Sequence, residues 1–191
     1  MQVDDDQILV RAILDGNRSS FEELMQRYNK RIFNFILRMV RSQEIALELT
    51  QDFFLKIYAN LEKYNFQYKF STWAYKICHN LVLDHLRRQK GITQSLDDDS
   101  VSARELVQAE HYTSDSGFSE MAAEEVRKIL WQAVDQLPLK FRELILMRFV
   151  QELKYEEISA ITGLPVGTVK NRIFKAKEFL RLEMEGHEML V

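Results

Sequence analysis

A single cysteine, Cys78, stands in 191 residues. That excludes an internal disulfide and any multi-cysteine zinc site. Prolines number two and glycines six, too few for a turn-rich β protein. Leu, Ile, Phe, Glu and Lys are plentiful, and the balance favours an all-α fold. No apolar run approaches the roughly 18 residues that span a membrane, so no direct membrane insertion is expected. The opening MQVDDDQ is acidic and lacks the basic start of a secretory signal, which makes the cytoplasm the expected compartment. A glycine-rich phosphate loop is missing as well. Cys78 and His79 are neighbours, so on a helix they point about 100° apart and do not share a metal. The Asp97–Asp99 trio reads as a solvated run. No enzymatic activity, cofactor or metal is expected.

A large charge of one sign is also lacking: the net value is −3. Its distribution is uneven. Residues 1–90 hold 14 Lys/Arg against 11 Asp/Glu, residues 91–120 hold one against seven, and residues 121–191 hold eleven of each. The acidity is concentrated in the middle, leaving two local basic surfaces. Residues 91–120 are rich in serine, contain Asp97–Asp99 and show no sustained period. They read as a flexible acidic linker with one short helical piece around Ala103–Ala109. Two helical domains, 1–90 and 121–191, are expected on either side.

In the first domain a short helix precedes Gly16. Ser20 to Glu23 has the pattern of a capping box. Phe21, Leu24, Met25, Tyr28, Ile32, Ile36 and Met39 follow at helical spacing, then Ile45, Leu49, Phe53, Phe54, Ile57 and Leu61. Ser71 is placed to cap a third long helix. In the second domain a helix starting near Glu120 stops at Pro138. The segment 139–150 forms another, Tyr155–Thr162 a short one ending at Gly163, and Val166 to about Glu185 the last. Lys154 has no side-chain acceptor, so the short helix is expected to fray at its start.

The short helix, the turn Gly163-Leu164-Pro165 and the last helix form a helix-turn-helix. Gly163 suits the left-handed conformation that ends a helix, and Pro165 suits the first turn of the next. Val169, Ile173, Ala176 and Leu180 share one face, which should meet the core. Gly167, Asn171, Phe174 and Glu178 lie opposite, flanked by Lys170, Lys175 and Arg181. From Val166 to Arg181 there are five cations and one carboxylate. An amide, an aromatic edge and cations are the groups that read a major groove: Asn pairs with adenine, Lys with guanine, and apolar groups meet the thymine methyl. Gly167 and Thr168 stand where free backbone amides can meet a phosphate.

A second basic stretch runs over 70–90. Ala74, Ile77, Cys78, Leu81 and His85 make a core-facing stripe; Trp73, Lys76, Asn80, Asp84 and Arg87 make another beside it. Upstream, Tyr64, Phe66, Tyr68 and Phe70 alternate with Lys63 and Lys69. Aromatics beside cations suit an unstacked single strand, whose bases stack on rings while phosphates meet cations. For Tyr64 and Phe70, packing within the fold is the simpler role. A duplex reader and a single-strand reader in one chain suit a protein that anchors on double-stranded DNA and opens it nearby.

With both stretches in view, the chain resembles a sigma factor of bacterial RNA polymerase. It is similar to the extracytoplasmic-function (group 4) branch of the sigma-70 family, which keeps regions 2 and 4 only. ALELTQDFFLKIY (46–58) resembles region 2.2, FSTWAYKICHNLVLDHLRRQ (70–89) regions 2.3 and 2.4, and residues 137–180 region 4. The resemblance implies contact with core RNA polymerase through Glu48, Leu49, Gln51, Asp52, Leu55 and Lys56. It implies that Trp73, Lys76, Asn80, Arg87 and Arg88 hold the melted minus-10 strand, and that the loop 64–70, with Tyr64, Phe66 and Tyr68, pockets a flipped base. Lys170, Asn171, Phe174 and Lys175 would read the minus-35 bases, with Arg148, Thr168, Arg172 and Lys177 on phosphates. A controlling anti-sigma factor is a further implied partner.

Two other classes compete. A stand-alone regulator would bind a palindromic operator as a dimer through the second domain. A protein-interaction module would have both basic faces covered by a partner. Gel shifts with and without core polymerase separate the three.

Overall fold

Asn17, not Ser20, opens the first long helix of the computed structural model: its Oδ1 accepts from the amides of Ser19 at 3.1 Å and Ser20 at 3.4 Å. Gly16, at φ +96°, ends the preceding helix. The chain therefore turns three residues earlier than the capping-box pattern implies, and Ser20 is buried inside the helix. The structure describes the backbone of residues 5–89 and 118–188 and the side chains of 5–89 and 126–185. The helices are α1 (Asp5–Leu14), α2 (Arg18–Val40), α3 (Gln43–Asn60), α4 (Phe70–Gln89), α5 (Phe118–Gln136), α6 (Leu139–Ile145), α7 (Tyr155–Thr162) and α8 (Val166–Glu188). Among the described residues there is no strand. Most of the acidic linker, with its expected helical piece at Ala103–Ala109, lies outside the described residues.

The two stripes anticipated in the first half do pack together. Leu24, Tyr28, Ile32, Ile36 and Met39 of α2 are buried with Leu49, Phe53, Phe54 and Ile57 of α3 and with Ala74, Cys78 and Leu81 of α4. Ser42 starts α3, its Oγ accepting from the Ile45 amide at 3.4 Å. Phe70 rather than Ser71 starts α4, and the Trp73 amide already reaches the Lys69 carbonyl at 3.3 Å. Ser71 thus lies within the first turn instead of capping it.

In the second half Pro138 separates α5 from α6, and its carbonyl accepts from the amides of Phe141 and Arg142. The segment expected as one helix widens at its end into a π turn over Leu146–Val150. The Gln151 amide bonds five residues back, to Leu146, at 3.0 Å. This extra residue leaves Phe149 and Val150 exposed and turns Gln151 inward. The start of α7 does not fray. Glu157 reaches back with Oε2 to accept from the Lys154 amide at 2.7 Å, the half of a capping box that needs no acceptor on the Lys154 side chain.

The hydrophobic core runs without interruption through both halves, with α7 lying on α4. Sequence periodicity places only one stripe of α4 in the core. The structure also buries Tyr75, His79 and Leu83, while Ile77 and His85 are half-buried. The seam carries several polar pairs, although His79 Nδ1, Asp135 Oδ1 and Arg142 Nε are buried there without a hydrogen-bond partner. His79 Nε2 lies 3.0 Å from Glu143 Oε2, and Arg31 donates to both the side chain and the carbonyl of Gln151 at 3.3 Å. The Tyr75 hydroxyl also donates to Gln151 Oε1, and burial pushes that phenol up, so it stays a donor. Arg38 pairs with Asp135 at 2.9 Å and sits over the Trp131 ring. Arg142, whose burial lowers it to about 10, donates to the Arg38 carbonyl. Buried polar groups cost stability unless bonded, and these bonds offset part of that cost.

Candidate polymerase and nucleic-acid interfaces

Three surfaces collect the residues singled out above. The first is the outer face of α3. Glu48, Gln51, Leu55 and Lys56 are exposed and Asp52 is half-buried. Leu49 is not on this face: it is 4% exposed and belongs to the core. The reason is its register, one turn before Phe53 on the inward stripe. Two residues that the sequence reading passed over take its place. Leu47 and Tyr58 are more than half exposed, as is Leu55. With Gln51 they form one stripe at i, i+4, i+8 and i+11. Large apolar side chains aligned in solvent, mixed with charges, mark a protein-contact surface.

The second surface lies where the end of α3 and the 3₁₀ turn Leu61–Lys63 meet α4. A cleft of about 310 Å³ opens there, lined by Lys56, Asn60, Lys63, Trp73, Ile77, Asn80, Leu81 and Asp84. Lys56 therefore borders this cleft as well as the α3 face. Lys63 donates to Asn60 at 2.9 Å, and Asp84 is paired with Arg87 at 3.3 Å. Trp73 is half-buried, with Tyr64 and Phe70 ring centroids 5.4 and 5.7 Å away. Lys76, Asn80, Arg87 and Arg88 are exposed.

In the loop before α4 the aromatics divide. Tyr68 is 61% exposed, whereas Tyr64 is 5% exposed and packed among Phe66, Phe70 and Trp73. Tyr64 cannot stack a base; it is part of the loop's own core. Phe66 is half-buried, and the Arg11 guanidinium lies 5.1 Å from its ring centroid. Asn60 and Lys63 extend the expected set. Their signal was present as an amide and a cation one turn apart at the end of α3, but only the fold shows that α4 faces them.

The third surface is the first half of α8. Gly163 takes φ +75°, and its amide bonds Ser159 at 2.9 Å. Ser159 Oγ then donates to the Leu164 carbonyl at 2.6 Å, fixing the turn. Val169, Ile173 and Ala176 are buried and Leu180 is half-buried, while Lys170, Asn171, Phe174, Lys175 and Lys177 are exposed. Phe174 is 63% exposed, unusual for its type and consistent with a contact residue. Thr168 and Arg172 are half-buried. Arg148 is turned inward: it donates to the Leu153 carbonyl at 3.0 Å and lies over the Tyr155 ring. That placement removes it from the phosphate-contacting set. Arg181 is occupied by Glu178 and Glu185, so the net positive charge sits toward the N-terminal end of α8.

Cys78 is fully buried in α4, and burial pushes its thiol up, away from reactivity. Among the described residues, no group of three or more His, Cys, Asp or Glu is placed to hold a metal, and no helix is long and apolar enough to cross a membrane.

Residues 24–92 match the family model for sigma-70 region 2, and residues 127–180 that for sigma-70 region 4. The chain is 33% identical over 180 residues to the ECF RNA polymerase sigma-E factor of Escherichia coli, covering 91% of each. It is 29% identical over 177 residues to the ECF RNA polymerase sigma factor SigW of Bacillus subtilis, covering 92% of this chain and 94% of that one. Among solved structures, CnrH in complex with the cytosolic domain of CnrY matches with a TM-score of 0.69 at 20% identity, over 96% of this chain and 99% of that one. The sigma factor RpoE in complex with the anti-sigma factor NepR from Bartonella quintana matches with a TM-score of 0.68 at 19% identity, over 86% and 96%. Both structures share this fold.

Proposed function

The chain belongs to the sigma-70 family, in its extracytoplasmic-function branch, and on that premise we propose how its surfaces divide the work of starting transcription. It binds core RNA polymerase, recognises minus-35 and minus-10 promoter elements and promotes opening of the DNA. It is an initiation factor rather than an enzyme and acts in the cytoplasm beside the polymerase. Residues 1–90 serve as region 2, 91–120 as a tether and 121–191 as region 4.

The α3 stripe takes the polymerase, with Leu47, Gln51, Leu55 and Tyr58 as apolar and polar anchors and Glu48 and Asp52 facing cations. The cleft between α3 and α4, with Lys63, Trp73 and Asn80 and with Lys76 exposed on α4, takes the melted minus-10 strand, and Tyr68 offers its exposed ring to an unpaired base. Arg87 and Arg88 continue the track along the strand. On α8, Lys170, Asn171, Phe174 and Lys175 enter the major groove, while Thr168, Arg172 and Lys177 meet phosphates. The observation that carries the reading is the pairing of a basic, amide-bearing recognition helix with a separate aromatic and basic cleft on one chain.

The docked seam bears on how these surfaces are used. The two elements lie about 25 base pairs apart, about 85 Å along B-DNA at about 3.4 Å per step. Lys69, in the minus-10 loop, is held 2.9 Å from Glu157 on α7. The seam therefore parts when both elements are engaged. An anti-sigma protein is the proposed controlling partner; that both fold neighbours were captured in complexes, one with a named anti-sigma factor, supports this.

Gel shifts and run-off transcription with core polymerase test the assignment. Promoter-specific binding is expected only with core polymerase present. Nanomolar binding of a palindromic operator by the chain alone, at physiological salt, would instead establish the dimeric regulator.

A further inference from the structure

Gln7 lies on α1, outside every segment assigned to DNA above. Its Nε2 sits 3.1 Å from the Tyr64 hydroxyl, 3.1 Å from the Phe66 carbonyl and 3.0 Å from the Tyr68 carbonyl. The Tyr64 hydroxyl, which accepts from Gln7, in turn donates to the Tyr68 carbonyl. One turn along α1, Arg11 covers the Phe66 ring. One face of α1 thus fastens the loop at three points within five residues. Inside the loop the local bonds are few: the Tyr68 amide to the Asn65 carbonyl at 3.1 Å and the Gln67 amide to Asn65 Oδ1 at 2.9 Å. Both bonds end on Asn65; the Tyr68 carbonyl is held instead by the Tyr64 hydroxyl and by Gln7.

We propose that Gln7 is a positioning residue for promoter opening: it holds the loop 64–69 in the shape that presents Tyr68 to an unpaired minus-10 base. This rests on the reading of that loop as a base-receiving element. The physical argument is pre-organisation. A loop already held in its binding shape loses less conformational freedom when a base arrives. An amide suits the task because its two protons, shared among the Tyr64 hydroxyl and the Phe66 and Tyr68 carbonyls, meet acceptors that a carboxylate would repel. α1 itself is anchored independently, by Asp6 to Arg27 and Tyr28 and by buried Leu9 and Val10, so removing the Gln7 amide leaves the helix in place.

The experiment uses holoenzyme reconstituted with Gln7→Ala, Gln7→Glu, Tyr64→Phe and Tyr68→Ala chains. A promoter carrying 2-aminopurine within the minus-10 element reports unstacking of the base by fluorescence. Gln7→Ala should slow that signal about tenfold, as expected for losing a shared set of hydrogen bonds, with affinity for core polymerase and thermal midpoint unchanged. Gln7→Glu should be slower still. Gln7→Ala combined with Tyr64→Phe should lose less than the product of the two single effects, because both act on the Tyr68 carbonyl. A premelted bubble should not restore full single-strand affinity, since the loop rather than the duplex is altered. If Tyr68→Ala slows the signal and neither Gln7 variant does, the role of Gln7 is overturned. If Tyr68→Ala also has no effect, the reading of the loop fails. Should Gln7→Ala lower the thermal midpoint, the isosteric Gln7→Glu chain decides: normal unstacking with an intact fold overturns the proposal.

Discussion

His79 of α4 and Glu143 of α6 meet at 3.0 Å with side chains 5% and 9% exposed. They lie on opposite sides of the seam that joins the two halves of the molecule. Burial gives the contact its weight, because a partner left alone there cannot turn to water. Arg38–Asp135, on the same seam, is 21% and 27% exposed and is better screened.

Glu143→Ala is therefore expected to weaken docking by about 1–3 kcal/mol, the cost of one unsatisfied buried group. Asp135→Ala should cost about 1 kcal/mol or less. Neither substitution touches the apolar core, so helical content should persist in both variants. Fluorescence energy transfer between labels on exposed positions of α2 and α8 would show the shift toward separated halves. An unchanged distance distribution in Glu143→Ala would mean that the apolar part of the seam alone holds the halves together.

The α3 surface makes a sharper distinction. The resemblance assigned Leu49 and Leu55 the same partner, but the structure buries the first and exposes the second. Leu55→Asp should leave stability within about 0.5 kcal/mol, as surface changes do, and weaken polymerase binding by about 2 kcal/mol or more if Leu55 anchors the interface. Leu49→Ala should do the reverse, costing about 2–5 kcal/mol of stability through the cavity it leaves. Chemical denaturation and a polymerase pull-down on the two variants separate these outcomes.

Much of this was legible in the chain itself, and what was not shares a cause. The α8 stripe of Val169, Ile173 and Ala176 could be read because one amphipathic helix encodes its own inward face. The same holds for the α2 and α3 stripes. Tyr75, His79 and Gln151 were not legible, because their burial depends on a surface contributed by a distant segment. Local chemistry misled in smaller ways. Ser20 and Ser71 are good caps, but Asn17 follows a glycine that had already ended α1, and Phe70 entered α4 first to pack against Tyr28. Arg148 looked free in sequence, yet the π turn and Tyr155 draw it inward. Gln7 had no signal at all: a lone amide near the N-terminus acquires meaning only once the loop 64–69 folds over it.

The last prediction separates the two DNA surfaces. Asn171 is exposed on the outward face of α8, and Asn80 is exposed beside the cleft on α4. Both are surface amides, so replacing either by Ala leaves stability nearly unchanged. That makes them cleaner probes than Trp73, whose ring packs on Tyr64 and Phe70. Asn171→Ala should remove a base-edge contact, costing about 1–3 kcal/mol in duplex binding by the holoenzyme, mostly at one minus-35 position. Asn80→Ala should spare duplex binding and reduce strand opening, because its partner exists only after melting. A promoter with a premelted minus-10 bubble supplies the open strand without the energy of opening. It should restore much of the lost occupancy in Asn80→Ala and none of the minus-35 specificity lost in Asn171→Ala. Permanganate footprinting of unpaired thymines on linear and premelted templates, alongside gel shifts of the closed complex, reads both effects. Rescue of Asn171→Ala by the bubble, with Asn80→Ala already defective in the closed complex, would reverse the assignment of the two surfaces.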